Sequence, residues 1–565
     1  MINKKIKKLI NKFSKYDVDG YIIPKNDEFF SEYAAIDRLK AISNFDGSAG
    51  IAVVLKNKNY LFVDGRYTIQ AQLQSGKLFK IIEIHKFLPY KILKNLTLGF
   101  DPHLHTKRQL FGYFGKSLDL KQINNNLIDE IYKKKNIKTK KFFSLKNSIA
   151  GENYKNKINR IRKILKSNKA DYVFISAPEN VAWTLNIRGS DNPNSPIPNC
   201  RLIIGKTNEI FLISQKQKIS KIIKEGKLSI KQIVNPKKFK DLIEKLKGKK
   251  FIIDHLSCSV LNEKIIKSKF KIINKYDPCY KLKSIKNSSE IKNMINAHIE
   301  DGVALTKFIY WIKNINKNEI TELDSQKKLE KFRKLNKNYL FPSFNTISGT
   351  GSNGAIVHNR ASKKTNKTIK KNHIFLCDSG GQYKYGTTDV TRTICFSKQK
   401  NSIKDKFTKV LKGHIAVATA NLKKLNTGKK IDSIARQFLK KDGLDYAHGT
   451  GHGVGFFSNV HEGPQSITKI NTVKLEEGMI VSNEPGYYKE GHYGIRIENL
   501  VFIKKFKNKL FFENLTLAPI EKDLINFKLL TRKERDYLFN YHLNVYSKIS
   551  KFLNNSEKKW LASLI

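Results

Sequence analysis

Three of the chain's 13 histidines, His448, His452 and His461, fall inside one 14-residue window. Glycines bracket the first two in His448-Gly449-Thr450-Gly451-His452-Gly453-Val454-Gly455. A residue without Cβ lets the backbone come close to a ligand, so the spacing suits histidines that face a bound group. The third sits in Asn459-Val460-His461-Glu462-Gly463-Pro464. A fourth, His358, ends the run Gly354-Ala355-Ile356-Val357-His358. Taken singly, each of these reads equally as a hydrogen-bonded structural group. Their concentration points to a site.

Carboxylates recur in two segments that read as hairpins. Between Phe375 and Thr393 apolar runs flank a polar centre, and a turn near Tyr383-Lys384 is expected to set Asp378 opposite Asp389. Cross-strand neighbours lie about 5 Å apart. Two carboxylates that close repel and push one pKa up, which a cation between them relieves. Between Met479 and Asn499 a turn near Gly491 is expected to set Glu484 opposite Glu498. Arg496 and Glu498, two apart, share one face of their strand, while Ile495 and Ile497 take the other. A charged pair on an inner face must be paired or metal-bound. Taken alone, the first hairpin also suits two structural aspartates and the second an ordinary surface strand. Together Asp378, Asp389, His452, Glu484 and Glu498 offer four carboxylates, one imidazole and no thiolate. That set suits hard or borderline divalent ions such as Mn²⁺ better than a structural zinc. Four carboxylates exceed what one ion needs, so two ions about 3.5–4 Å apart are expected, generating a hydroxide nucleophile at neutral pH.

These residues need a framework. Two segments share an outline of helix, apolar strand and hairpin. The first has Tyr21-Ile22-Ile23, then Gly50 to Leu55 and Tyr60 to Val63. The second has a helix around 152–167, then Tyr172 to Ile175, Arg201 to Gly205 and Ile210 to Ile213. Short apolar runs bounded by turn residues are the strand signal. The same order about 150 residues apart predicts two related α/β domains. Chance recurrence of common α/β parts is the alternative. From about residue 285 a long helix, Ser288 through Ile315, leads into the glycine-punctuated hairpins. The last segment opens on Thr531-x-x-Glu534, a capping box. Its apolar residues Leu538, Tyr541, Val545, Ile549 and Phe552 recur at helical spacing and are expected to pack on the protein body.

Composition narrows the class. Of 565 residues 40% are hydrophobic and 11% aromatic, which excludes wholesale disorder. No run approaches about 18 consecutive apolar residues, so no membrane span is expected. The basic N-terminus lacks the apolar core of a signal peptide and reads as a helix, making a cytoplasmic location the default. The cysteines, Cys200, Cys258, Cys279, Cys377 and Cys395, are widely spaced and odd in number, against a disulfide framework or a thiolate zinc site. The formal charge is +58, with 93 lysines against 14 arginines. A nucleic-acid reader favours arginine for bidentate contacts. Lysine spread over the whole chain instead implies weak, salt-sensitive adhesion to polyanions. No specific nucleic-acid partner is expected.

The ordered motifs resemble the Xaa-Pro aminopeptidases (aminopeptidase P), metallopeptidases of the pita-bread fold. They are Asp378-Ser379-Gly380 through Thr387-Thr388-Asp389-Val390-Thr391-Arg392-Thr393, His448 to Gly455, Asn459 to Pro464, Glu484-Pro485-Gly486-Tyr487-Tyr488 and Gly494 to Asn499. Phe45-Asp46-Gly47-Ser48-Ala49-Gly50, Asp64-Gly65-Arg66-Tyr67, Asn186 to Asp191 and Asn540-Tyr541-His542-Leu543 look like parts of the long, three-domain cytosolic type. The resemblance implies a mixed α/β (α+β) fold. Two creatinase-like α/β domains, 1–145 and 146–283, precede a pita-bread catalytic domain, 284–505, and a C-terminal helical extension, 506–565. It implies that Asp378, Asp389, His452, Glu484 and Glu498 are the ligands of two divalent ions, with Asp389 and Glu498 bridging. His358 and His461 would hold substrate and steady the tetrahedral intermediate. Glu484 would accept the proton from the nucleophile, and His448 and Arg496 would support the ligands or face the substrate. Peptides with proline at the second position would be the substrates, and the enzyme would be a homodimer. Tyr385 and Asn483 stand where relatives often or sometimes carry Asp; neither is a ligand position. A dipeptidase for Xaa-Pro (prolidase) and a pita-bread domain used as a binding module are the rival readings.

Overall fold

The computed structural model describes residues 2–115, 117–132, 140–316 and 319–565. The chain divides into two units, Met1–Tyr280 and Lys281–Ile565. The first holds two six-stranded sheets. One is built from β1 (Gly20–Pro24), β2 (Ile51–Leu55), β3 (Asn59–Val63), β4 (Lys80–Glu83), β5 (Thr97–Phe100) and β6 (Asp119–Gln122), in the order β4-β3-β2-β1-β5-β6. The other is built from β7 (Tyr172–Ile175), β8 (Arg201–Gly205), β9 (Ile210–Ile213), β10 (Ile233–Val234), β11 (Lys250–Ile253) and β12 (Lys271–Asn274), in the order β10-β9-β8-β7-β11-β12.

The two sheets match strand for strand, including direction. In each the first strand runs antiparallel to the hairpin beside it, and the fourth, fifth and sixth join as parallel strands. The recurrence read in the sequence is therefore a repeat of topology. The central strands β1 and β7 are buried along their length, which explains why they read as unbroken apolar runs rather than alternating ones. A short strand, Phe143–Ser144, pairs with Ile187–Arg188.

The second unit begins with α1 (Ser288–Asn314), started by a reciprocal capping box between Asn287 and Glu290. It ends one residue before the expected Ile315. α1 packs along α2 (Glu322–Lys334) through a buried ion pair, Arg333 Nε to Asp301 Oδ1 at 2.7 Å. Asp301 also accepts from the Tyr383 hydroxyl at 2.7 Å and Thr388 Oγ1 at 3.0 Å, while Arg333 donates to Ser379 Oγ at 3.1 Å. Ser379 and Thr388 are the chain neighbours of Asp378 and Asp389. One buried ion pair thus grips both strands of the first carboxylate hairpin beside its acids.

Three sheets carry the chemistry-bearing residues. One holds β13 (Ile347–Thr350), β14 (Ile374–Ser379) and β15 (Val390–Cys395); another holds β16 (Gly451–Gly453), β17 (Glu462–Ile467), β18 (Ile480–Asn483), β21 (Asn499–Phe506) and β22 (Lys509–Asn514); β19 (Gly486–Lys489) and β20 (Tyr493–Arg496) form a two-stranded ribbon. α3 (Asn401–Ala418) and α4 (Arg532–Ile549) pack against them around a core that includes Phe407, Leu411, Ile495, Ile497, Leu538 and Val545. α4 opens on the expected box: Glu534 N–H donates to Thr531 Oγ1, and Thr531 N–H donates to Glu534 Oε2. Leu538, Tyr541, Val545 and Ile549 are buried as their spacing predicts. Phe552 is not; it is 49% exposed, because the helix ends at Ile549 and the following 3₁₀ turn rotates it off the stripe. All five cysteines are buried and free.

The Asp301–Arg333 pair makes a direct prediction. Removing one partner of a buried pair leaves an uncompensated charge and costs about 3–5 kcal/mol. Arg333→Met is expected to lower the unfolding free energy by that order in a chemical denaturation experiment. A loss under 1 kcal/mol would mean that the pair does not brace the hairpin.

Candidate metal centre

Both hairpins form, with one adjustment. In the first, β14 and β15 pair Asp378 with Thr391 and Ser379 with Val390. The turn lies at Lys384-Tyr385, since Gln382 pairs with Thr387 and Tyr383 with Gly386. It is centred one residue later than expected, so the register differs by two. Asp378 therefore faces Thr391 and lies diagonal to Asp389, not opposite it. A two-residue change keeps every side chain on its face, so both aspartates still point to one side.

The second hairpin has the expected register. Gly486 pairs with Arg496 and Asn483 with Asn499, which brings Glu484 level with Glu498. Gly491 takes a left-handed φ of 72° at the turn, where a Cβ would be strained. Backbone bonds lock this hairpin to the other two motifs. Glu484 N–H donates to the Thr450 carbonyl at 2.8 Å, and Glu498 N–H donates to the Thr391 carbonyl at 3.1 Å.

The result gathers the carboxylates around His452. Its Nε2 lies 3.4 Å from Asp389 Oδ2 and 3.6 Å from Glu484 Oε1. Asp389, His452 and Glu498 offer ligand atoms within 4.8 Å of one another, a spacing one ion can bridge. His452 Nδ1 lies 3.0 Å from the Gly453 carbonyl. That bond assigns the proton to Nδ1 and leaves Nε2 as the lone-pair donor facing the acids. The sequence predicts that these glycines admit a ligand; at Gly451 what is admitted is another strand, since a Cβ there would sit 1.9 Å from the Ser482 carbonyl oxygen, so only glycine lets β16 lie against β18.

Burial and mutual repulsion dominate the electrostatics. Asp389 is held far above the usual carboxylate range by burial, then by Asp378 and Glu484. Glu498 is raised in the same way by burial, then by Asp389, Glu484 and Asp378. Arg496 supplies one compensating charge, with Nη2 2.6 Å from Asp378 Oδ2. The other oxygen, Asp378 Oδ1, is buried without a hydrogen-bond partner. An orphaned carboxylate oxygen and two acids driven toward protonation are what a cation would satisfy. The donors are hard oxygens with one imidazole, so the residues present fit divalent ions.

The remaining residues singled out in the sequence lie on or beside this cluster and its supports. His461 lies edge-on to His452, ring centroids 4.2 Å apart. His448 Nδ1 is 4.0 Å from Glu484 Oε2. His358 follows Val357, whose carbonyl accepts from Arg496 Nη2 at 3.3 Å. Three residues escaped the sequence reading. Tyr488 joins the two supporting groups, its hydroxyl 2.6 Å from Arg496 Nη1 and 2.8 Å from His448 Nε2. Thr391 donates to Glu498 Oε2 at 2.7 Å and accepts from Arg496 Nε at 3.1 Å. Arg392 donates to the Glu498 carbonyl at 2.6 Å. All three stood in the motifs; the signal was their position next to or in register with the acids.

Comparisons with known proteins agree with this geometry. Residues 292–505 match the model of metallopeptidase family M24, and 508–564 match the C-terminal region of M24 peptidases. Residues 5–121 and 133–290 each match the creatinase/prolidase N-terminal domain. The fold is thus that of an M24 metallopeptidase domain preceded by two creatinase-type domains. A probable Xaa-Pro aminopeptidase P of Laccaria bicolor is 35% identical, the match covering 99% of this chain and 92% of that one. The solved X-prolyl aminopeptidase of Caenorhabditis elegans, described as a cytosolic enzyme with a di-nuclear active site, superposes with a TM-score of 0.91 at 29% identity, covering 100% and 99% of the two chains. The prolidase of Pyrococcus furiosus reaches 0.52 at 28% identity and covers 63% of this chain and 98% of its own. The chain belongs to the Xaa-Pro aminopeptidase family.

The raised acids predict a pH signature in the metal-free protein. A carboxyl whose folded pKa exceeds its unfolded value, about 4, stabilises the fold fully below that value and loses the contribution as pH rises toward the folded pKa. The contribution of these two acids to the stability of chelated protein should therefore fall from about pH 4 upward. Glu498→Gln keeps an acceptor for Thr391 but removes a charge. It is expected to melt higher than chelated wild type at pH 8, with the gap narrowing toward pH 5. A variant that melts lower at pH 8 would contradict the repulsion.

Proposed function

We propose that this chain is a metallo-aminopeptidase that removes the N-terminal residue from peptides with proline in the second position. The crowding of Asp389, Glu484 and Glu498 around His452, with Asp378 close enough to repel Asp389 and Glu498, carries the reading, in a chain similar to Xaa-Pro aminopeptidases over its whole length. These five residues would hold two divalent ions, Mn²⁺ by donor chemistry, with Asp389 and Glu498 shared between them. Such ions supply Lewis acidity and an activated water at neutral pH.

The side chains divide the remaining work. Glu484 is half-buried at the edge of the cluster and receives a bond from Ser482 Oγ at 3.1 Å. From there it takes the proton of the attacking water and returns one to the prolyl nitrogen, which leaves as an amine. His461, beside His452, donates to the substrate carbonyl oxygen as charge builds on it. His358 holds the same end of the peptide. Arg496 keeps Asp378 oriented, and His448 is held to Arg496 through Tyr488. Proline in second position gives a tertiary amide without an N–H, so recognition has to come from the ring's shape rather than from a bond to that nitrogen.

The finer assignments belong to the same proposal. Domain limits fall at 1–145, 146–283, 284–505 and 506–565. The enzyme works in the cytoplasm as a homodimer, on the strength of its family resemblance. The similarity across both N-terminal domains and the C-terminal region favours an aminopeptidase over a prolidase, whose Pyrococcus furiosus example aligns with only 63% of the chain.

Xaa-Pro-Xaa tripeptides assayed beside Xaa-Pro dipeptides, with Mn²⁺ and after chelation, test the reading. Tripeptides should be cut after the first residue, dipeptides slowly, and chelation should abolish both. Preference for dipeptides would make this a prolidase; activity surviving chelation would remove the metal from the mechanism. Light scattering on the same preparation should give twice the chain mass of 65.1 kDa; the monomer mass would reject the dimer.

A further inference from the structure

We propose that Tyr541, in the C-terminal extension, is a positioning residue of the metal centre, acting through Arg392 on Glu498 and Asn499. The inference rests on the reading that Glu498 is a metal ligand and extends it to a segment no motif connects with the chemistry.

Arg392 is fully enclosed, 3% exposed, and makes six hydrogen bonds. Nε donates to the Pro519 carbonyl at 2.9 Å. Nη1 donates to the carbonyls of Thr391 at 2.8 Å and Glu498 at 2.6 Å. Nη2 donates to Asn499 Oδ1 at 2.7 Å, the Ala518 carbonyl at 2.8 Å and the Tyr541 hydroxyl at 2.9 Å. Every acceptor is neutral. Three other deeply buried arginines are built differently: Arg333 pairs with Asp301, Arg436 with Asp432 and Asp445, and Arg496 with Asp378. A buried guanidinium without a carboxylate partner is costly unless negative charge lies close by. The carboxylate cluster supplies that charge, and Arg392 reaches it through the backbone of Glu498 itself.

Tyr541 fixes this arginine's orientation. Its hydroxyl carries one hydrogen, which goes to the Ala518 carbonyl at 2.7 Å. Its oxygen is therefore an acceptor toward Arg392. A second tyrosine one turn earlier on α4, Tyr537, stacks on Tyr541 with centroids 6.4 Å apart. The Tyr537 hydroxyl accepts from Asn514 Nδ2 at 3.0 Å, and Asn514 Oδ1 accepts from Asn499 Nδ2 at 3.1 Å. One helix of the extension thus holds both ends of the Asn499 side chain, Oδ1 through Arg392 and Nδ2 through Asn514. Asn499 follows Glu498 directly. The direction in which the Glu498 carboxylate leaves the backbone is set by groups anchored on α4. Removing an outer partner of a ligand typically costs 10–100-fold in metal affinity.

The test titrates Mn²⁺ into chelated protein by calorimetry and compares wild type with Tyr541→Phe and Val545→Ala. Val545 is buried on the same helix and in the same apolar core as Tyr541, and its side chain carries no polar atom, so its truncation loosens packing without removing a hydrogen bond. Tyr541→Phe is expected to weaken Mn²⁺ binding about tenfold or more, while Val545→Ala lowers the melting temperature and keeps wild-type affinity. Unchanged affinity in Tyr541→Phe overturns the inference, as does an equal loss in Val545→Ala. Should Tyr541→Phe fail to fold, Arg392→Lys, which keeps the charge but cannot reach all six acceptors, must show the same loss; wild-type affinity there overturns the inference too. Wild type that takes up no Mn²⁺ would sink the metal reading and this inference with it, and is distinguishable because the reference protein itself fails.

Discussion

Four carboxylates that repel one another in a largely buried place set the terms for the rest of the second unit. Unneutralised, they repel, and burial denies them the screening of water. The raised acidities of Asp389 and Glu498 express that cost. The surrounding structure holds the acids where they would not stay unaided. Arg496 stands among them against Asp378, the Asp301–Arg333 pair grips the residues beside Asp378 and Asp389, and Arg392 bonds the backbone of Glu498.

The architecture is economical in its means. Each hairpin delivers two acids to one side, and the glycine-rich turn brings His452 between them. Two backbone hydrogen bonds, from Glu484 to Thr450 and from Glu498 to Thr391, register the second hairpin on the other motifs. Thr391 then serves twice, donating to Glu498 and accepting from Arg496. Substitutions at these uncharged positions should disturb the centre although none of them could bind a metal.

Much of this was legible in the sequence because the signals are local. Strand alternation around Ile495 and Ile497 fixed the face of Arg496 and Glu498, and Gly491 fixed the turn, so that register follows. The first hairpin was less determinate. Its polar centre, Gly381 to Thr388, admits a turn at either of two adjacent positions, and the real one at Lys384-Tyr385 moves Asp378 opposite Thr391. The face survived because the error was an even one. The repeat of the N-terminal sheets was visible as an order of elements, and its identity of strand direction was not. What sequence pattern could not supply were long-range polar links. Asp301 to Arg333, Tyr488 to His448 and Arg392 to Tyr541 carry no periodicity, and each joins residues whose neighbourhood exists only in the folded chain.

The central claim is that this cluster exists to hold cations, and the most direct measurement is anomalous X-ray scattering at the manganese edge from crystals of Mn²⁺-loaded protein. The account predicts two peaks about 3.5–4 Å apart, both in contact with Asp389 and Glu498 and one of them beside His452 Nε2. A single peak would reduce the centre to one ion, and peaks elsewhere, or none at full loading, would contradict the account.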